Sequence, residues 1–202
     1  MAEMTGATVF SLHMALGVLV ALVFARAAAL KLRAWAAFEG VVDNYDLLFP
    51  ALVAPVAVIL PIAEAVIAAA LPIPMARQHW AELAAAALLA VFAIAMAVNL
   101  ARGRGHIDCG CGDAGARQQL GPGLVVRNLV LAVLLVAVAL APPGAASLTG
   151  AVVGVAGGAA AFLLYLCQDA FAALPRPGRS APLPAADPRL GFALHRRTGA
   201  VH

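Results

Sequence analysis

The sequence predicts an all-α protein, a polytopic transmembrane bundle of four to five helices. Three observations carry that expectation. Of 202 residues, 64% are hydrophobic and 11% charged, whereas a soluble domain is about 45–50% apolar and roughly one-quarter charged. The mean hydropathy is +0.96. The apolar residues also gather into stretches near the ~20 residues that a helix needs to cross hydrocarbon. Thirteen Lys and Arg with ten Asp and Glu cannot clothe a soluble globule of this length. A large extramembrane catalytic domain, a Rossmann-type nucleotide fold and a nucleic-acid reader are excluded. The pI of 9.1 is read as loop charge retained in the cytoplasm rather than as affinity for nucleic acid.

The first span is expected from about Val9 to Leu32. Only Glu3 is charged before it, with no Lys or Arg, so a retained helix is favoured over a secretory signal with its basic start. Trp35 to Phe49 is amphipathic, with Glu39, Asp43, Tyr45 and Asp46, and suits an interfacial loop. The second span, about Ala51 to Leu71, contains Pro55, Pro61 and the lone carboxylate Glu64, and Pro72 and Pro74 close it. A connector with Arg77, His79 and Trp80 leads to the third span, about Glu82 to Leu100.

Ala101 to Gly123 is the most polar internal segment, rich in Gly and Arg. Asn128 to Gln168 carries no charged residue, too long for one crossing of about 20 residues. Pro142-Pro143-Gly144 divides it into a fourth span, about Leu124 to Ala141, and a fifth, about Leu148 to Phe171. In the fifth, Gly150, Gly154, Gly157 and Gly158 either admit a close neighbouring helix or reflect the general enrichment of Gly in membrane helices. The domain organisation is thus a helical membrane domain over 1–174 and a tail over 175–202. That tail holds five of the thirteen prolines and five arginines, and is expected to be disordered because it cannot bury enough apolar surface.

Basic residues set the orientation. Lys31, Arg33, Arg102, Arg104, Arg117, Arg176, Arg179, Arg189, Arg196 and Arg197 lie on one side of a five-span chain, against Arg77 on the other. The N-terminus is therefore expected outside and the tail in the cytoplasm, in a cell membrane.

Chemistry concentrates in Cys109-Gly110-Cys111-Gly112. Thiols one residue apart can close a small, strained disulfide, and strained bridges exchange readily. Arg102, Arg104 and His106 favour thiolate while Asp108 and Asp113 oppose it, and the glycines would leave the sulfurs open to a partner protein. A redox pair, metal ligation with His106, and an incidental pair all remain open; the one-residue gap and the missing fourth ligand disfavour zinc. Cys167 is either a resolving thiol or a buried small hydrophobe. No cysteine lies on the opposite face, so a relay of fixed thiol pairs cannot cross the bilayer. Electrons would need a mobile carrier such as a quinone, or movement of the cysteine segment.

Glu64 is the second candidate. A carboxylate deep in a span costs about 2.5–3.5 kcal/mol on insertion scales and normally faces a partner or cavity. It would handle protons or orient a substrate, or else make a structural interhelical bond, with Arg26 and Arg127 as candidate partners. Asn99 and Asn128 would knit helices together, His13 and His79 would be inert interfacial groups, and Tyr45 and Trp80 would anchor at the interface.

The order Lys31-Leu32, Phe38, Tyr45, Pro50, Pro61-x-x-Glu64, Asn99-Leu100-Ala101-Arg102-Gly103-Arg104, Cys109-Gly110-Cys111-Gly112 and Arg127-Asn128 resembles the methylamine utilization protein MauE family, a relative of the DoxX-like membrane proteins, over about residues 10–140. The resemblance implies a factor that helps form or rearrange disulfides in an exported client such as the methylamine dehydrogenase small subunit. A thioredoxin-like protein would be its partner. It matches Cys109 and Cys111 to the family's cysteines and Glu64 to its membrane carboxylate. Here Gly112-Asp113 follows the second cysteine, where the family often has an aromatic residue and Gly. The rival readings are a quinone-linked DoxX-like oxidoreductase subunit, a non-enzymatic membrane scaffold, and a metal-binding or transport protein.

Overall fold

The structure is a computed structural model that describes residues 2–73, 79–110, 119–142 and 144–173. The elements in order are α1 (Ala2–Arg33), α2 (Trp35–Asn44), α3 (Pro50–Ala70), α4 (Trp80–Ala101), α5 (Pro122–Leu140) and α6 (Leu148–Ala173). All but α2 are long and apolar enough to cross a membrane, which gives five candidate crossings among the described residues. Among the described residues the one β-type pairing is an isolated bridge between Asp108 and Gln119. It closes the base of the loop between α4 and α5, where Leu120 N–H donates to Ile107 O at 3.1 Å.

The starts of α3 and α5 follow from sequence. Extended Phe49 and Gly121 precede Pro50 and Pro122 at the first helical turn, where a fixed φ and a missing N–H carry no penalty. Pro55 and Pro61 lie inside α3 without ending it, as neighbouring helices allow in membrane proteins.

Residues 35–49 differ from the expected loop, because 35–44 form a helix. Phe38 and Val42 are one turn apart and pack on Val53 and Ala57 of α3, while Asp43 on α2 stays exposed. Burial of this short stripe against α3 holds the segment helical.

The core joins Val20, Ala21 and Phe24 of α1 to Ile67 of α3, Ala85 and Leu89 of α4, and Leu135 of α5. Outside this core the helices expose Ile59, Ile62, Ile94, Val133 and Leu164. Such a surface would draw aggregation in water and is neutral against lipid. Close approach of helices therefore depends on small residues and dispersion contacts, and Ala81, Ala85, Ala86 and Ala93 supply them on α4.

α6 packs on α1 through glycine. A Cβ on Gly154 would lie 2.5 Å from Met14 Cβ, and one on Gly158 would lie 2.5 Å from the Ala15 carbonyl oxygen. Gly150 is tight as well, its Cβ falling 3.0 Å from Phe10 Cδ1 of α1, whereas Gly157 meets only Ala15 Cβ at an ordinary 3.7 Å.

The helix order brings the α1–α2 junction, the α4–α5 loop and the end of α6 to one end of the bundle. The connector 74–78 and the tail 175–202, with the arginines expected there, lie outside the described residues.

Candidate functional site

The end of the bundle that bears Cys109 encloses a cavity of about 240 Å³. α1 contributes Lys31, α2 contributes Phe38 and Tyr45, and α3 contributes Glu64. Phe92 comes from α4 and Cys109 from the following loop. Two of the three candidate site residues thus share one cavity, although they belong to segments far apart in sequence. Cys111 lies outside the described residues, together with Gly112 and Asp113.

Lys31 is the partner of Glu64. Its ammonium donates to Glu64 Oε1, and the two side chains are only 7% and 1% exposed. Arg26 and Arg127, the partners expected from sequence, bind Asp169 of α6 instead, at 3.6 and 2.7 Å. The reason is position: Lys31 is in the last turn of α1, and its long flexible stem reaches back into the bundle. Lys31 is accordingly no exposed loop charge. Its Nζ also lies 5.2 Å from the Phe38 ring centre and 5.1 Å from that of Phe92, within range of cation–π attraction. The second carboxylate oxygen of Glu64 is buried and has no hydrogen-bond partner among the described residues.

Cys109 is in the wall of this cavity, not open to water. It is 7% exposed and packs with Met96, Leu120 and Leu124. This corrects the expectation that flanking glycines leave its sulfur accessible to a partner protein. Gly110 serves a different purpose. Its φ is +69°, and a Cβ there would meet Val41 Cγ1 at 3.0 Å, so glycine lets the loop fold down onto α2. Asp108 Oδ1 accepts from the Gly110 N–H at 3.1 Å.

Three further bonds hold the loop against α2 and its exit. Tyr45 Oη donates to the Cys109 carbonyl at 3.2 Å, Arg102 donates to Asp46 O at 3.1 Å, and Arg104 donates to Asn44 O at 2.7 Å. Tyr45 is therefore a strut for the cysteine loop, a role that sequence did not suggest. Arg102 and Arg104 are likewise structural clamps, beyond any role in setting orientation.

Other residues are placed differently from expectation. Cys167 is exposed on α6 and does not line the cavity, so it is neither a buried hydrophobe nor in reach as a resolving thiol from within the cavity. Asn99 donates to Ala95 O of its own helix at 3.2 Å, whereas buried Asn128 lines the cavity. His13 is bonded to Glu82 at 2.9 Å, tying α1 to α4 near the opposite end. Among the described residues no three potential metal ligands cluster.

Asp169 escaped sequence reasoning altogether. Its signal was present: one carboxylate at the end of an apolar helix, with two arginines, Arg26 and Arg127, inside other spans. Arg127 also stacks over Tyr165, 4.5 Å from the ring centre, closing the cavity on the α5–α6 side.

Comparison with known proteins matches residues 9–142 to the model of the family described as Methylamine utilisation protein MauE. The chain belongs to the MauE family. It is 46% identical over 155 residues to the Methylamine utilization protein MauE of Paracoccus denitrificans, covering 75% of this chain and 82% of that protein. The MauE protein of Paracoccus versutus is 44% identical over 169 residues, 81% of this chain and 89% of the relative. That of Methylophilus methylotrophus is 42% identical over 159 residues, 77% and 83% of the two chains. No solved structure matches. The MauE match spans α1 to α5 and therefore includes Lys31, Glu64, Cys109 and Cys111.

Proposed function

We propose that this MauE-family protein is a thiol-redox maturation factor of the cell membrane, with Cys109 and Cys111 as the exchanging pair. The single observation that supports this most is the burial of Cys109 in the wall of the cavity that holds the Lys31–Glu64 pair. A thiol that shares a largely apolar cavity with a buried ammonium and a carboxylate is placed for chemistry that excludes water. A scaffold cysteine would need none of these neighbours. The clients are exported disulfide-containing proteins such as the methylamine dehydrogenase small subunit, and a thioredoxin-like protein is the exchange partner; the names of the relatives speak to methylamine utilization alone.

In exchange with that partner, one partner thiolate attacks the Cys111 sulfur of the Cys109–Cys111 bridge, Cys109 leaves as the thiolate, and the second partner thiolate resolves the mixed disulfide. The partner leaves oxidised and the pair holds two thiols. Arg33, Arg102 and Arg104 on the cysteine side, with the basic tail, favour an N-terminus outside and cysteines facing the cytoplasm. The helical domain 1–174 carries the activity.

The test uses cells that require the client. Cys109→Ser and Cys111→Ser should each abolish maturation, and a partner with one active-site cysteine removed should be trapped in a mixed disulfide with Cys111. Full maturation in the double serine variant would overturn the reading in favour of a scaffold. A membrane-impermeant thiol reagent should label the pair only after permeabilisation; labelling in intact cells would reverse the orientation.

A further inference from the structure

We propose that the cavity between Lys31, Glu64 and Cys109 binds the head of a membrane quinone, which is the electron acceptor for the cysteine pair. This rests on the thiol-redox reading above and names the redox partner of the same site.

Access comes first. Cys109 is buried and lines the cavity, so the cavity offers an approach to it. The exposed residues lining that cavity are apolar: Leu47 is 39% exposed, Leu48 37% and Val91 56%. A mouth of that composition at a bilayer-crossing bundle admits a solute from lipid rather than from water.

Size and chemistry come next. A cavity of about 150 Å³ is enough for benzene, so 240 Å³ takes a substituted six-membered ring while its isoprenoid tail leaves through the apolar mouth. The floor is polar and incompletely used. Lys31 spends one N–H on Glu64 Oε1, which leaves further ammonium hydrogens, and Glu64 Oε2 is buried without a partner among the described residues. An ammonium is a donor for one quinone carbonyl, and a carboxylate oxygen is an acceptor for the hydroxyl that this carbonyl becomes. Phe38 and Phe92, which flank Lys31 Nζ, offer flat walls to a planar ring. A free fatty acid suits the ammonium, but it would place a second carboxylate beside Glu64. A neutral carbonyl avoids that repulsion.

The electron balance also calls for such a ligand. Oxidation of the Cys109 and Cys111 thiols forms one S–S bond and releases two electrons and two protons. A quinone takes up both and becomes the hydroquinone. The sequence places no cysteine on the opposite face, so a diffusing carrier completes the circuit that fixed thiols cannot.

The experiment uses the full-length protein in nanodiscs, with decylubiquinone as the probe and decylbenzene as a matched compound without carbonyls. Calorimetry on the Cys109→Ser/Cys111→Ser protein reads binding without turnover. Decylubiquinone should bind about tenfold or more tightly than decylbenzene, the loss expected for one charge-assisted hydrogen bond. Ala95→Phe, which fills the cavity from α4, should abolish binding. In anaerobic stopped flow, the reduced wild type should form one hydroquinone for each pair of thiols lost.

Equal binding of the two compounds to the unfilled protein overturns the inference without relying on the filled variant. Quinone binding with no loss of thiols overturns it too. Failure of the thiol reading is separate: it shows as normal client maturation in cells carrying the double serine variant, whatever the calorimetry reads.

Discussion

Lys31, in the last turn of α1, is hydrogen-bonded to Glu64, inside α3. The pair ties the two helices together at the cavity that Cys109 helps to wall. Two opposite charges taken out of water hold each other, and removal of one leaves the other uncompensated. The pair is therefore both a fastening and the polar floor of the site.

Lys31→Met should lower stability by about 3–5 kcal/mol, the range for breaking a buried pair by removing one member. Lys31→Met with Glu64→Leu should regain most of that loss, since two apolar side chains of similar volume leave no buried charge. Thermal unfolding of the purified variants in nanodiscs checks both. Additive losses in the double variant would mean that the two side chains act independently.

Gly110→Ala should loosen the cysteine loop. A residue with a Cβ at φ +69°, against Val41 at 3.0 Å, is strained by about 1–2 kcal/mol. The expected result is faster alkylation of Cys109 by a water-soluble maleimide, with the helices still folded by circular dichroism. Arg104→Ala, which removes the 2.7 Å bond to Asn44 O, should shift the labelling rate in the same direction.

The glycines of α6 should divide sharply. Gly158→Leu pushes a side chain into the Ala15 backbone, 2.5 Å from the ideal Cβ, while Gly157→Ala finds its nearest neighbour at 3.7 Å. The first should destabilise by about 1–3 kcal/mol or more, as overpacking does. The second should fall within about 0.5 kcal/mol of the parent. A cysteine crosslink engineered between α1 and α6 would report the separation directly.

Asp169→Ala should release both arginines that it holds, Arg26 at 3.6 Å and Arg127 at 2.7 Å. Loss of a charge-assisted bond in a half-buried setting is worth about 1.5–3 kcal/mol. Asp169→Glu should recover part of it. Unfolding midpoints of the two variants test the order parent, Glu, Ala.

The all-helical membrane class, the approximate bounds of the long apolar helices and two residues that line the cavity, Glu64 and Cys109, were legible in the sequence. Composition alone decides between water and lipid, and Pro72, Pro142 and Pro143 punctuate runs that would otherwise be continuous. Glu64 stood out because a carboxylate in a 21-residue apolar helix demands a partner. Cys109 and Cys111 stood out because cysteine is otherwise used once. The MauE resemblance followed from the same residues, and the family match bears it out.

Which charges meet, and which way Cys109 faces, were settled only by the tertiary structure. Lys31 read as a loop charge and Arg26 and Arg127 as partners for Glu64, because a linear count ranks charges by depth and ignores helix rotation and side-chain reach. Packing of α6 on α1 through Gly154 and Gly158 presents Asp169 to the arginines and leaves Glu64 to Lys31. Tyr45 and residues 35–44 were read as interfacial because their pattern is amphipathic. Only the fold of the α4–α5 loop onto them turns that surface into the wall of a cavity. Local pattern determines what a segment prefers to contact; the identity of the contact depends on how the helices are rotated against one another, which no single segment encodes.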